Sequence, residues 1–293
     1  MEPVPPDPNV ARFERAVEAV IDGEALTLAA LLRDYPDLVR ARSTRVTAGD
    51  PPVHGATLLH YVAANGVEDQ RQRSPNNAPA IAKMLLDAGA DPDALCRAYG
   101  SRCTTMSLLV SSTPPADAGV PVPLVHLLID YGAVVTPQGE GHWTSPLITA
   151  LVFGFTDAAR ALVARGAPVD TLAAAAGLGR LDDVTRGLPA ASADDRHRAL
   201  ALAAQLGHPA IVKVLIDAGE DPNRYNPPGT HAHSSPLHQA IAAGHLDVVK
   251  VLIDNGARLD ITDTIHHATP LGWAAYCNQP GMADYLRERG APA

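Results

Sequence analysis

Aromatic residues make up only 4% of this 293-residue chain. A core built without them must come from small aliphatic side chains that let helices pack closely. Runs such as Leu172-Ala173-Ala174-Ala175-Ala176 fit that requirement. Positive charge is also short, since 23 Lys and Arg face 32 Asp and Glu, a formal net charge of −9. No basic run occurs, which argues against a nucleic-acid partner, because neutralising phosphates needs clustered Lys and Arg. Cysteine is limited to Cys96, Cys103 and Cys277. These form no zinc-type pair and cannot all pair with one another, so free thiols in a reducing cytoplasm are expected. No stretch free of charge and turn residues reaches the ~18–20 residues that a bilayer requires, so no membrane partner is expected. The first residues, Met1-Glu2-Pro3-Val4-Pro5-Pro6-Asp7-Pro8, carry neither the positive charge nor the apolar core of an export signal. Catalytic signatures are absent as well: there is no nucleophile elbow, phosphate-cradling loop, His-Glu-x-x-His or dinucleotide fingerprint. The expectation is a protein without enzymatic activity and without a cofactor.

What the chain does contain is a recurring phrase. Ser235-Pro236-Leu237-His238-Gln239-Ala240 returns as Thr269-Pro270-Leu271-Gly272-Trp273-Ala274, 34 residues on from Ser235 to Thr269. The glycine turn at Gly256 returns at Gly290 with the same spacing. A fixed period of this size marks stacked supersecondary units. Length alone would suggest about two domains, but a stack grows by adding units rather than closing a second core. Earlier copies start at Thr57 and Ser145, weaker ones at Asp170 and Arg198, and a degenerate one lies near Thr105.

Each part of the phrase has a physical role. The Ser or Thr caps a helix, and Pro occupies the first helical position, where its missing N–H costs nothing. Leu and Ala at helical spacing form the buried stripe. A Gly near the helix end permits the tight turn into a second helix. That helix carries its own stripe, as in Ile81, Leu85 and Leu86, and closes on Gly-Ala.

The Thr-Pro-Leu-His-type phrase, the two short helices and the closing Gly-Ala-Asp resemble ankyrin repeats over roughly residues 55–293, most specifically in the last two copies. The resemblance implies an all-α solenoid of helix–turn–helix units with β-turn fingers between them. Fingers and first helices would then build a concave face that binds a protein partner. It also implies that His60 and His238 hydrogen-bond neighbouring fingers. The expected organisation is a disordered start and N-terminal helical cap over 1–54, with repeat units over 55–104, 105–143, 144–169, 170–197 (degenerate), 198–233, 234–267 and 268–293 (a C-terminal cap). The weak copies at Asp170 and Arg198 lie too close together for a full finger, and Arg186-Gly187-Leu188-Pro189 lacks a Gly-Ala ending. A short or missing finger is expected there. His208 and His245, which follow the inter-helix Gly, should tie down that turn.

Two features point to function. Residues 67–79 and 113–123 lengthen the turn between helices in neighbouring units. They are expected side by side on the edge away from the fingers, as tolerated loop growth or as a docking edge. Histidines also collect ahead of the caps: His54, His142, His231, His233, His266 and His267, with Trp143. Fingers are exposed by architecture, so partner contact is expected there, with Trp143 as an anchor or else packed beside the Pro146 turn. The expected partner-binding set is His142, Trp143, Thr144, Phe153, His231, His233, His266, His267 and Tyr276, on a monomer. The alternative is metal or small-molecule binding, in which His231, His233, His266 and His267 converge on one ion with Asp260 and Asp263 as oxygen donors. A pH-sensitive contact is another use of such a cluster.

Overall fold

A computed structural model describes residues 7–48, 52–64, 67–141 and 144–292. The backbone divides into two compact units, Met1–Pro168 and Val169–Ala293, where the sequence reading has a single stack. The division falls just ahead of the weak copies.

In the first unit, α1 (Pro8–Ile21) and α2 (Ala25–Asp34) form the N-terminal helix pair, followed by α3 (Leu58–Val62) and α4 (Ala78–Asp87). A two-stranded finger, β1 (Cys96–Ala98) and β2 (Ser101–Cys103), leads to α5 (Thr105–Leu109), α6 (Thr113–Asp117) and α7 (Pro121–Asp130). The unit closes with α8 (Pro146–Val152) and α9 (Thr156–Ala164). The second unit runs through α10 (Leu172–Gly177), α11 (Leu181–Gly187), α12 (Ala193–Gln205) and α13 (Pro209–Asp217), then α14 (Pro236–Ala242), α15 (Leu246–Asp254), α16 (Pro270–Tyr276) and α17 (Pro280–Glu288). The architecture is all-α apart from the finger strands. No helix among the described residues is long and apolar enough to cross a membrane.

Sequence chemistry explains why the helices start where they do. Every first helix from α3 onward opens on Ser or Thr: Thr57, Thr104, Ser145, Thr171, Ser192, Ser235 and Thr269. In each case the hydroxyl oxygen can take one of the orphan N–H groups of the first turn, worth about 1 kcal/mol per cap. At Thr57 and Ser235 the fourth residue of the phrase, His60 or His238, reaches back to the cap and completes a reciprocal box. His238 Nδ1 accepts from the Ser235 N–H at 3.3 Å, and its Nε2 donates to the Ala268 carbonyl of the next finger at 3.3 Å. That is the inter-finger contact expected of this histidine. Burial drives the His60 pKa down to about 4, so its ring is neutral in the folded chain.

The histidine after each turn glycine does more than close its own turn. His208 donates through Nε2 to the Gly177 carbonyl at 3.1 Å, back in the preceding pair. The His245 ring lies over Gly207, which sits at φ +80°. A Cβ at Gly207 would come within 2.7 Å of that ring. Gly207→Ala is therefore expected to cost about 2–3 kcal/mol, from the left-handed backbone and the clash together. Urea unfolding followed by far-UV circular dichroism measures this, and adding His245→Ala should recover only the clash portion.

The missing finger is as expected. Gly187 keeps φ at −80° instead of turning left-handed, and the chain passes through a short 3-10 segment, Leu188–Ala190, straight to the Ser192 cap. Helix α12 is long, at 13 residues, and runs across residue 198, where the sequence places a unit start. Its Asp195 takes over the work of a finger by accepting from the Leu172 and Ala173 N–H groups at 2.8 and 3.1 Å. Around it the core of the second unit is aliphatic, with Leu200, Ile211, Val212, Leu237, Val249 and Leu252 buried.

The two long loops depart from expectation. Residues 67–73 do not lie on an edge away from the fingers; they strap α3 to the N-terminal pair. Glu68, only 2% exposed, accepts from Tyr61 Oη, shares a 2.9 Å hydrogen bond with His54 Nε2 and pairs with Arg71 at 3.0 Å. Arg71 continues to Glu14 at 2.6 Å and Glu18 at 2.7 Å on α1. The second insertion is largely helical, forming α6 and the start of α7. A buried ionic hub explains the first difference, because polar groups taken out of water must find partners.

Candidate functional site

The site is built from the fingers of the second unit. Asp263 is fully buried at the base of one finger, where its carboxylate accepts from the N–H groups of Ile265, His266 and Ala268 at 2.7–3.0 Å. It also accepts from Trp273 Nε1 at 2.9 Å. Burial alone would raise its pKa, but these four donors outweigh it and hold the carboxyl well below the usual range. One side chain thus shapes the finger and orients the indole of α16. The preceding finger is bonded to it: the Thr264 N–H donates to the His233 carbonyl at 2.8 Å, and Tyr225 Oη donates to the Thr262 carbonyl at 2.6 Å.

His233 stacks on Trp273 with ring centroids 6.0 Å apart, and His231 meets His233 edge-on at 6.2 Å. Burial, then the neighbouring His231, lowers the His233 pKa, against the pull of Asp263. Below the indole is an apolar cavity of about 310 Å³ lined by His233, His266, Gly272, Trp273, Tyr276 and Cys277, together with Ala268. Tyr276 stands at its mouth with 92% of its surface exposed. His231 and His267 hold left-handed backbones, φ 54° and 53°, one in each of the two fingers. Non-glycine residues seldom adopt this conformation, although His is among the more tolerant.

The first unit has a smaller counterpart. In the β1–β2 finger Cys96 lies opposite Cys103 and Arg97 opposite Arg102, about a turn at Tyr99-Gly100. Tyr99 has φ 50° and is 68% exposed. With Phe153, at the C-cap of α8, it flanks a cavity of about 240 Å³ that also touches Leu108 and Ser111. The two cysteines are free and buried. Burial pushes their thiols up, to about 12 for Cys96 and about 11 for Cys103, so they are unreactive at neutral pH.

The expected residues are thus partly gathered. His233, His266 and Tyr276 line one cavity, His231 touches it only through the His233 ring, His267 is exposed, and Phe153 lines another. Thr144 is half-buried, and its carbonyl accepts from the Gln138 N–H at 2.9 Å. His142 and Trp143 lie outside the described residues. His54 is not a fingertip residue: it is 2% exposed and bound to Glu68. The metal alternative finds no support, since among the described residues no three His, Cys, Asp or Glu side chains gather to hold an ion. Asp263 is spent on internal donors, and His233 is held against the indole.

Tyr99 and Trp273 were missed by the sequence reading. A mirror pattern, Cys-Arg-Ala-Tyr-Gly-Ser-Arg-Cys over 96–103, is the signal for the first, since it reads as a hairpin about Tyr-Gly. For Trp273 the signal is its place in the capped phrase, one residue after a Gly that stands where other copies have His.

Comparison with known proteins agrees with this geometry. The family described as ankyrin repeats (3 copies) matches residues 200–292, and a single ankyrin repeat matches residues 54–97. Ankyrin repeat and SAM domain-containing protein 6 of Mus musculus is 32% identical over 111 residues, covering 38% of this chain and 12% of that protein. An ankyrin repeat-containing protein of Treponema pallidum (strain Nichols) is 29% identical over 164 residues, 55% of this chain and 46% of its own. Ankyrin repeat and KH domain-containing protein mask-1 of Caenorhabditis elegans is 28% identical over 237 residues, 75% of this chain and 8% of its own. The chain spans less than half the length of each of these relatives. The capped helix pairs, glycine turns and bonded fingers coincide with both family matches, and the chain carries ankyrin repeats over residues 54–97 and 200–292.

Proposed function

We propose that this chain is a non-catalytic interaction module of the cytoplasm, acting as a monomer, that binds a protein partner through the face made by its fingers and first helices. The observation that carries this reading is the exposure of aromatic side chains at the ends of first helices, beside apolar cavities under the fingers. Tyr276 is the extreme case. Large aromatics at the rim of a well-packed pocket are the usual energetic anchors of protein interfaces. A net charge of −9 favours a protein over a nucleic acid. His231, His233, His266, His267, Phe153 and Thr144 are proposed as the contact set, with His142 and Trp143 continuing it.

The test is affinity capture from the native host's lysate with wild type and with Phe153→Ala/Tyr276→Ala. Both side chains are substantially exposed, so the double variant should fold normally. Loss of a captured protein of at least about tenfold, as expected for hot-spot aromatics, supports the reading. Undiminished capture by the variant sinks it.

A further inference from the structure

We propose that the cavity under the second-unit fingers seats the large apolar side chain of an acidic peptide segment, whose carboxylates are met by His266 and the neighbouring His267. This rests on the interaction reading above and deepens it. The cavity, about 310 Å³, is walled by aromatic and aliphatic surface. The indole N–H, a strong polar group at its wall, is already given to Asp263. A polar occupant would find that donor engaged and would pay for its own desolvation, whereas an apolar side chain gains from burial.

The cavity is open because of one residue. Gly272 lies on its floor at the place that His60 and His238 fill in their own repeats. Those imidazoles are buried against the cap and, for His238, against the next finger. Glycine at this point leaves the space beside Trp273 to a guest.

The rim chooses the partner's charge. Both carboxylates of the nearer finger are engaged: Asp263 with its four donors, and Asp260 with Arg258 at 2.9 and 3.0 Å. The histidines that line the mouth are His233 and His266. Facing His233 are His231 from its own finger, Asp263 and His266 from the next finger, and Trp273, Tyr276 and Cys277 from α16. Imidazole N–H groups at the rim are donors that suit carboxylates. The direction with pH follows. An arriving carboxylate favours the protonated imidazole, so binding takes up protons and tightens as pH falls through the histidine range. Aspartate and glutamate in the peptide stay ionised over that interval.

The experiment selects a random peptide display library on the immobilised full chain at about pH 6, then measures fluorescein-labelled synthetic copies of the enriched sequences by anisotropy. The expected sequences carry Phe, Trp or Leu flanked by Asp or Glu, and bind about three- to tenfold tighter at about pH 6 than at about pH 7.5. Gly272→Leu, which fills the floor, and Tyr276→Ala, which removes an exposed wall, should each weaken binding about tenfold or more. Tyr276 makes the test independent of any folding defect in Gly272→Leu. His266→Gln/His267→Gln should flatten the pH dependence. Enriched peptides without acidic residues overturn the proposal. So does binding untouched by Tyr276→Ala but lost in Phe153→Ala, which would leave the interaction reading standing with its site in the first unit. A library that yields no binder overturns the proposal, while the interaction reading stands or falls with the lysate capture.

Discussion

Glu68→Ala is expected to destabilise the first unit by about 3–5 kcal/mol, the usual cost of stripping one partner from a buried ionic group. The carboxylate is shared by Tyr61, His54 and Arg71, all three nearly inaccessible to solvent. Removing it strands two polar groups and leaves Arg71 to Glu14 and Glu18 alone. The same site should show in acid. Burial would raise the Glu68 pKa, but hydrogen bonds from His54 and Tyr61 and the Arg71 charge more than cancel this and bring it down to about 2. A carboxyl whose folded pKa is depressed adds stability above its unfolded value, near 4.5, and loses it as pH falls toward about 2. That contribution is about 3 kcal/mol at neutral pH. Urea midpoints at pH 7 and at about pH 3 provide the measurement: the gap between wild type and Glu68→Gln should narrow in acid. A gap that stays constant would show that the carboxylate is not the stabilising form. Hydrogen exchange should locate the loss in α1 and α3, because the strap joins those helices.

Asp263→Ala is the second large effect, at about 3 kcal/mol in the second unit. Hydrogen bonds to a charged acceptor are worth about 1.5–3 kcal/mol each. The released backbone N–H groups lie near the exposed finger surface and recover part of that from water. Asp263→Asn should fall between the two, since one amide oxygen replaces a carboxylate that used both. The distinctive readout is Trp273. Freed from its acceptor, the indole should lose its fixed orientation, and near-UV circular dichroism and fluorescence in a Trp143→Phe background would report it. An unchanged Trp273 signal in a destabilised Asp263→Ala protein would mean that the finger, and not the hydrogen bond, positions the ring. Because Trp273 and His233 form the wall of the cavity, the same substitution should also abolish peptide binding there.

Much of this molecule can be read from residues alone, for reasons that are local. A Ser or Thr cap, followed by Pro in three of the four phrase copies, acts within one turn of helix, so all four copies mark real helix starts. Gly187 without a following Ala forecasts a missing finger because the left-handed exit is a property of one residue and its neighbour. That His238 reaches the next finger, and that Phe153 and Tyr276 face outward, is what the resemblance to ankyrin repeats implies, and the spacing alone does not give it. The mirror sequence around Tyr99-Gly100 belongs here too, since two-residue hairpins are chosen by their own turn residues.

The sequence by itself therefore determined the unit, its caps, its turns and the aromatic ends of its first helices. Tertiary structure alone decided what the polar side chains do. His54 and His233 look alike in sequence, each ahead of a strong cap, yet one is buried on Glu68 and the other stacks on an indole. Arg71 finds Glu14 across 57 positions of chain, and Asp263 is consumed by donors that only the folded finger brings within 3 Å. Periodicity reports backbone geometry and the burial of a face, whose driving force is non-directional and tolerant of detail. A hydrogen bond or ion pair depends on a few tenths of an ångström at one point, and that point exists only once the units have stacked.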